Sequence, residues 1–277
     1  MKKILVPTDF SANADKALNY AVSLAGFTNA EVHLLHAAQV TDSSATFPVN
    51  PQYAAFAGNN EEAVKKLAAA AENFPGHKIH THVYAGFVLE SILKATTDLG
   101  ADLVVMGTLG DSGIREKLFG SITASVIGRS AVPVLAIPLM ADWNDPKKIL
   151  FAINEFDKDP AGIEILVQIA DALGAEIDLA VFTDTDTADA ADYIENAKGI
   201  TAYERRLNDH FPGKDIKAER LYGSKFQDAL DDHIEKNGID IIAMVTHKRN
   251  LLEKLFRRSM TSKISYHTDI PLLAMPA

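Results

Sequence analysis

The residues best suited to chemistry form one stretch, Gly107-Thr108-Leu109-Gly110-Asp111-Ser112-Gly113-Ile114-Arg115-Glu116-Lys117-Leu118-Phe119-Gly120-Ser121. Glycines let backbone approach a ligand closely. A helix starting near Ser121 turns its first unsatisfied N–H groups, and the positive end of its dipole, toward negative charge. Ser121 and Thr123 add hydroxyl donors at the same helix start. That chemistry is anion binding, with phosphate as the natural guest. A glycine ending a strand is also a common turn residue, so three glycines alone do not decide between the two readings.

The elements around this stretch must hold it in place. The apolar run Leu103-Val104-Val105-Met106 reads as a buried strand, and Ile122 to Ile127 reads as a helix. At the start of the chain, Lys3 to Val6 is a strand stopped by Pro7-Thr8-Asp9. A helix follows over Ser11 to Ala25, with apolar residues at Ala14, Ala17, Leu18, Ala21, Val22 and Ala25, and then a strand over Glu31 to Ala38. Strand, helix, strand at this spacing is a βαβ unit, which implies a parallel sheet with right-handed crossovers. Ligands of such sheets lie beyond the carboxyl ends of the strands. Asp9 and Gly107 can therefore share a crevice, where Asp9 accepts hydrogen bonds from a ribose hydroxyl or base amine, or serves as a turn residue.

Residues 39 to 60 lack periodicity and read as a long loop. A helix over Glu61 to Phe74, a strand over His80 to Tyr84, a helix over Val88 to Asp98 and a last strand over Val132 to Ile137 complete the first half. The chain then starts again. Lys147-Lys148-Ile149-Leu150 repeats Lys2-Lys3-Ile4-Leu5, Gly223 matches Gly86, and Asp240 to Met244 matches Asp102 to Met106. Glu253-Lys254-Leu255-Phe256 matches Glu116-Lys117-Leu118-Phe119, and Asp269 to Pro276 repeats the end of the first copy. This is a tandem duplication, giving domains over 1–140 and 146–277. The second copy puts Val245, Lys248 and Arg258 where the first has Gly107, Gly110 and Gly120, and Asn154 in place of Asp9. Side chains there close the cradle, so one site is expected, in the first copy.

Composition bounds the function. With 47% apolar and 23% charged residues the chain is globular, and the absence of Cys removes disulfides and thiolate chemistry. A net charge of −10 argues against general nucleic-acid or anionic-membrane binding. No signal peptide and no membrane-length apolar run is evident, so a soluble cytoplasmic protein is expected.

The spacing Gly107-x-x-Gly110, nine residues, Gly120-Ser121 resembles the nucleotide-binding signature of the universal stress protein family. It matches neither the Rossmann fingerprint nor a Walker P-loop. The resemblance extends over nearly all of both copies. It implies two tandem α/β domains, each an open, parallel, five-stranded Rossmann-like sheet with helices on both faces, related by a pseudo-twofold axis. It also implies ATP, with or without Mg²⁺, as the ligand. By this likeness Pro7, Thr8 and Asp9 meet the adenosine and Ala37 lies near the adenine, while Met106, Gly107, Gly110, Gly120, Ser121, Ile122 and Thr123 line the ribose and phosphates. A family member of this kind is a stress-response regulator read by a protein partner. The tandem chain then resembles a dimer of single-domain relatives, with further homo-oligomers open to it.

Other signals are weaker. Lys248-Arg249 with Arg257-Arg258 could hold an anion, but reads more plainly as a solvated face. His80 and His82 alternate on one strand and form a candidate metal pair, with no carboxylate at matching spacing. Asp184 to Glu195 faintly resembles a calcium loop without its glycine. Asp111 or Asp9 with Mg²⁺, and Arg115 or Lys117 on the phosphates, would be the parts of a slow ATPase or nucleotidyl-transfer enzyme. A nucleotide-free assembly scaffold is the third alternative.

Overall fold

The protein, as a computed structural model, is described over residues 1–38, 59–109, 120–153, 160–186, 188, 190–224, 226–246 and 269–276. It divides into two compact units, Met1–Asp142 and Trp143–Ala277. The first runs β1 (Lys3–Thr8), α1 (Ala12–Thr28), β2 (Glu31–Ala38), α2 (Asn59–Glu72), β3 (Ile79–Ala85), α3 (Val88–Leu99), β4 (Leu103–Gly107), α4 (Ser121–Arg129) and β5 (Val134–Ile137). Its strands lie in the order β3-β2-β1-β4-β5, every neighbouring pair parallel. The chain steps one way from β1 to β3 and the other way from β3 to β5. With right-handed crossovers, α1 and α2 therefore cover one face and α3 and α4 the other.

The second unit repeats this plan with β6 (Lys148–Ile153), α5 (Glu164–Leu173) after a 3₁₀ turn over Pro160–Ile163, and β7 (Glu176–Asp184). It continues with α6 (Ala190–His210), β8 (Lys217–Gly223), α7 (Phe226–Asn237), β9 (Ile241–Thr246) and β10 (Leu272–Pro276). Its strand order is β10-β9-β6-β7-β8, again all parallel. Each unit is thus the five-stranded parallel α/β sheet expected. Among the described residues no helix is long and apolar enough to cross a membrane.

Burial on both faces explains why the central strands are unbroken apolar runs. Ile4, Leu5 and Val6 of β1 and Leu103, Val104 and Val105 of β4 have no exposed surface. Helix α1 seats Ala14, Ala17, Leu18, Ala21 and Val22 against this layer, the face its spacing predicts. Ser11 caps it by accepting from Ala14 N–H, and Asn29 ends it in the left-handed conformation.

The repeated Lys-Lys-Ile-Leu has an atomic explanation. The Asp102 carboxylate accepts the backbone N–H groups of Lys2 (2.6 Å) and Lys3 (3.0 Å), fixing the start of β1 beside that of β4. Asp240 does the same for Lys147 (2.7 Å) and Lys148 (2.9 Å) at β6. The Lys3 ammonium donates to the carbonyl of Leu99, and the Lys147 ammonium to that of Leu173.

One boundary differs from expectation. Pro7 does not end β1, which stays paired with β2 as far as Thr8 opposite His36. On its other side β1 pairs with β4 only at Ile4 and Leu5. Proline lacks the N–H that a ladder needs, so it is tolerated where β1 has already parted from β4. That parting opens the crevice in which the candidate site lies.

Candidate functional site

A cavity of about 220 Å³ occupies the carboxyl ends of β1, β2 and β4 in the first unit. Pro7, Thr8 and Asp9 reach it from β1, Ala37 from β2, Met106 and Gly107 from β4, and Gly120, Ser121, Ile122 and Thr123 from the start of α4. Gly110 and the Asp111–Phe119 segment lie outside the described residues, as do the 39–58 stretch, Asn154 and the Lys248–Arg258 cluster. The other candidates thus come together around one hollow. Sequence reasoning missed part of the wall: Leu35, Val88, Ile92 and Leu109 add apolar surface, and His36 adds an imidazole whose Nδ1 is 2.9 Å from the Thr8 carbonyl.

Helix α4 faces this hollow with its N-terminus. Gly120, its N-cap, has extended backbone and provides no side-chain cap. The Gly120 N–H is engaged by the Thr108 carbonyl at 2.6 Å, and the first intrahelical bond runs from Ala124 to Gly120. Among the described residues no side chain caps the N–H groups of the first turn, which have no partner within the helix. Ser121 is exposed beside them.

Two candidates do something other than expected. The Thr123 hydroxyl is buried and donates to the Gly107 carbonyl at 2.8 Å, tying α4 to the end of β4. Only its backbone remains for a ligand. Gly107 carries no side chain because Asn13 occupies the space: a β-carbon there would stand 2.7 Å from the Asn13 Cγ and Oδ1 and 3.0 Å from its backbone oxygen. Asn13, almost wholly buried, joins three elements. Its Nδ2 donates to the Ile137 carbonyl at 2.9 Å, and its Oδ1 accepts from Leu109 N–H at 2.7 Å. Gly107 is thus closed on the α1 side by the fold itself.

At the rim, Asp9 is exposed and its Oδ1 accepts from Ser11 N–H at 3.0 Å, an Asx-type turn that leads β1 into α1. Phe10 between them has φ 63°, a left-handed conformation that costs a bulky residue about 1–2 kcal/mol. A hydrogen bond from Phe10 N–H to Thr8 Oγ1 at 2.9 Å and ring contact with His36 at 4.6 Å hold it there. The Asp15 carboxyl, one helical turn on, is raised by burial and then by the nearby Asp9 charge.

The second unit lacks this arrangement where it is described. Val245 stands at the end of β9 opposite Met275, as Gly107 stands opposite Ile137, and it is buried. Ala152 and Ile153 replace Pro7 and Thr8.

A profile of the universal stress protein family matches residues 1–138 and again 146–276. The chain belongs to the universal stress protein family. Among similar proteins of this family, universal stress protein MJ0577 of Methanocaldococcus jannaschii is 30% identical over 152 residues, covering 49% of this chain and 94% of that protein. Universal stress protein YxiE of Bacillus subtilis is 35% identical over 144 residues, covering 49% of this chain and 97% of its own. The crystal structure of a universal stress protein from Archaeoglobus fulgidus matches 98% of this chain and 97% of its own, with a TM-score of 0.70 at 19% identity, a likeness of fold.

The histidine pair has a different setting from the one expected. His80 and His82 share a face of β3, near its start and at its middle, outside the cavity lining and against His33 of β2. Burial, then the neighbouring imidazoles, lowers His33 to about 4; burial and His80 lower His82. A carboxylate, Glu31, does accompany them, from the adjacent strand. In the calcium-like stretch, Asp184 is the last residue of β7.

Proposed function

We propose that this universal stress protein binds one adenine nucleotide, ATP foremost, in the β1–β4 cavity of its first unit and acts as a regulatory binder. The carrying observation is the uncapped start of α4 opening on a hollow with an otherwise largely apolar wall. The residues fit the ligand in kind: N–H groups of Ser121 and Ile122 with the helix dipole suit phosphate. Pro7, Leu35, Val88, Ile92 and Met106 suit the faces of a purine, and Asp9 at the exposed rim suits ribose hydroxyls or a phosphate-borne Mg²⁺. Thr8 and Ala37 complete the β1–β2 side of the purine pocket, and Gly120 flanks the phosphates, the role that the family resemblance also gives Gly110. The second unit, with Val245 in place of Gly107, acts as the built-in counterpart that a single-domain relative would obtain from a second copy.

The test is a titration of nucleotide-free protein with Mg·ATP, in parallel with Gly120→Val. A β-branched side chain at the helix start obstructs the phosphate. Loss of one or two charge-assisted hydrogen bonds, each about 1.5–3 kcal/mol, weakens binding by at least about tenfold. An unchanged dissociation constant in a folded variant contradicts the site. Turnover of ATP that falls with the same substitution would convert the binder into an ATPase.

A further inference from the structure

We propose that the amino ends of β2 and β3 form a site for a divalent transition-metal ion, Zn²⁺ or a cation of similar preference, with Glu31, His33 and His80 as ligands and His82 as the residue that orients His33. It is separate from the nucleotide cavity, which lies at the carboxyl ends of β1, β2 and β4 and is lined by none of these four residues.

Register brings the set together. His33 is paired with His80 across the β2–β3 ladder, and Glu31 is two residues before His33, so all three side chains rise from one face. One donor atom from each lies within 4.8 Å of the others. Glu31 Oε2 is 3.8 Å from His33 Nε2 and 3.6 Å from His80 Nε2. Donors on a tetrahedral Zn²⁺ with bonds of about 2.0–2.1 Å stand about 3.4 Å apart, so modest side-chain movement closes the set and leaves a fourth position open.

The decisive feature is unsatisfied nitrogen. His33 is 7% exposed, and the Nε2 atoms of both His33 and His80 are shielded from solvent without a hydrogen-bond partner among the described residues. A buried ring nitrogen left without a partner is costly, and a metal ion would satisfy both at once. The other nitrogen of His33 is already engaged: Nδ1 lies 3.0 Å from His82 Nε2. With Nδ1–H donating to His82, the lone pair of His33 Nε2 is left for the ion; a metal-bound imidazole donates its other N–H to an outer acceptor in the same way, and here that acceptor is an imidazole. Lys78 pairs with the other Glu31 oxygen, Oε1, which leaves Oε2 on the imidazole side.

The second unit supplies an internal contrast. Where His33 faces His80, Asp178 faces Lys217, and Lys148 lies 4.0 Å from Asp178. Opposite charges there serve in place of ligands, so one metal per chain is expected. Imidazole with carboxylate selects Zn²⁺, Ni²⁺ or Cu²⁺ over Mg²⁺ and Ca²⁺.

The experiment titrates chelator-treated, nucleotide-free full-length protein with ZnCl₂ in a calorimeter. One equivalent is expected to bind; His80→Gln and Glu31→Gln each weaken it at least tenfold, His82→Gln about tenfold, and Lys217→Gln leaves it unchanged. X-ray absorption at the zinc edge of the wild-type protein, which needs no variant to fold, is expected to show two imidazoles in the first shell. Non-saturable binding, equal affinity in His80→Gln and Glu31→Gln, or an oxygen-only shell overturns the proposal.

Discussion

At Gly107 the fold makes a demand of its own before any ligand arrives. A β-carbon would collide with Asn13, which itself ties α1 to Leu109 and Ile137. Two substitutions expose this. Asn13→Ala leaves the half-buried Leu109 N–H without its partner and the Ile137 carbonyl with the Thr108 N–H alone, and is expected to cost about 1–3 kcal/mol in denaturant unfolding. Gly107→Ala is expected to cost a similar amount by overpacking, about 1–3 kcal/mol. Because both act through one contact, the double variant is expected to be less destabilised than the sum, and strict additivity would contradict the account. The glycine pattern was legible in the sequence, yet the reason for Gly107 was not, since Asn13 is distant along the chain. Thr123 shows the same limit: its position at the helix start could be read, while the direction of its hydroxyl, toward Gly107 rather than the hollow, depends on how α4 docks.

Among the elements, the starts of β1 and β6 carry the duplication most clearly. Asp102 and Asp240 each accept two backbone N–H groups from the lysine pair that opens the first strand of their unit. Asp102→Ala and Asp240→Ala are each expected to destabilise their own unit, by about 1–3 kcal/mol for the lost hydrogen bonds to a charged group. Hydrogen exchange at β1 in the first variant and β6 in the second locates the effect, and protection unchanged in both would contradict it. The strands and helices of the first unit were readable from apolar periodicity, and the plan of the second from the repeat of its landmarks. The extension of β1 through Pro7 was not, because it rests on which side of the strand has lost its neighbour. The carboxylate beside His80 and His82 was missed likewise. Spacing along β3 contains no such residue, and only the β2–β3 register brings Glu31 and His33 alongside.

For the whole molecule, the central claim is that the fold is present twice and the nucleotide site once. Both units have the same strand order and the same aspartate at the start of the sheet. Among the described residues the Pro7-Thr8 end of the first strand and the Gly120 helix start line a cavity in the first unit, and Ala152-Ile153 stand in place of Pro7-Thr8 in the second. The most direct measurement is the amount of adenine nucleotide released on denaturing protein equilibrated with excess Mg·ATP and freed of unbound ligand, for the wild type and Gly120→Val. One nucleotide per chain in the wild type, and a marked loss in the folded variant, is the predicted result. Two per chain, or one that Gly120→Val does not diminish, would contradict it and move the binding site out of the β1–β4 cavity.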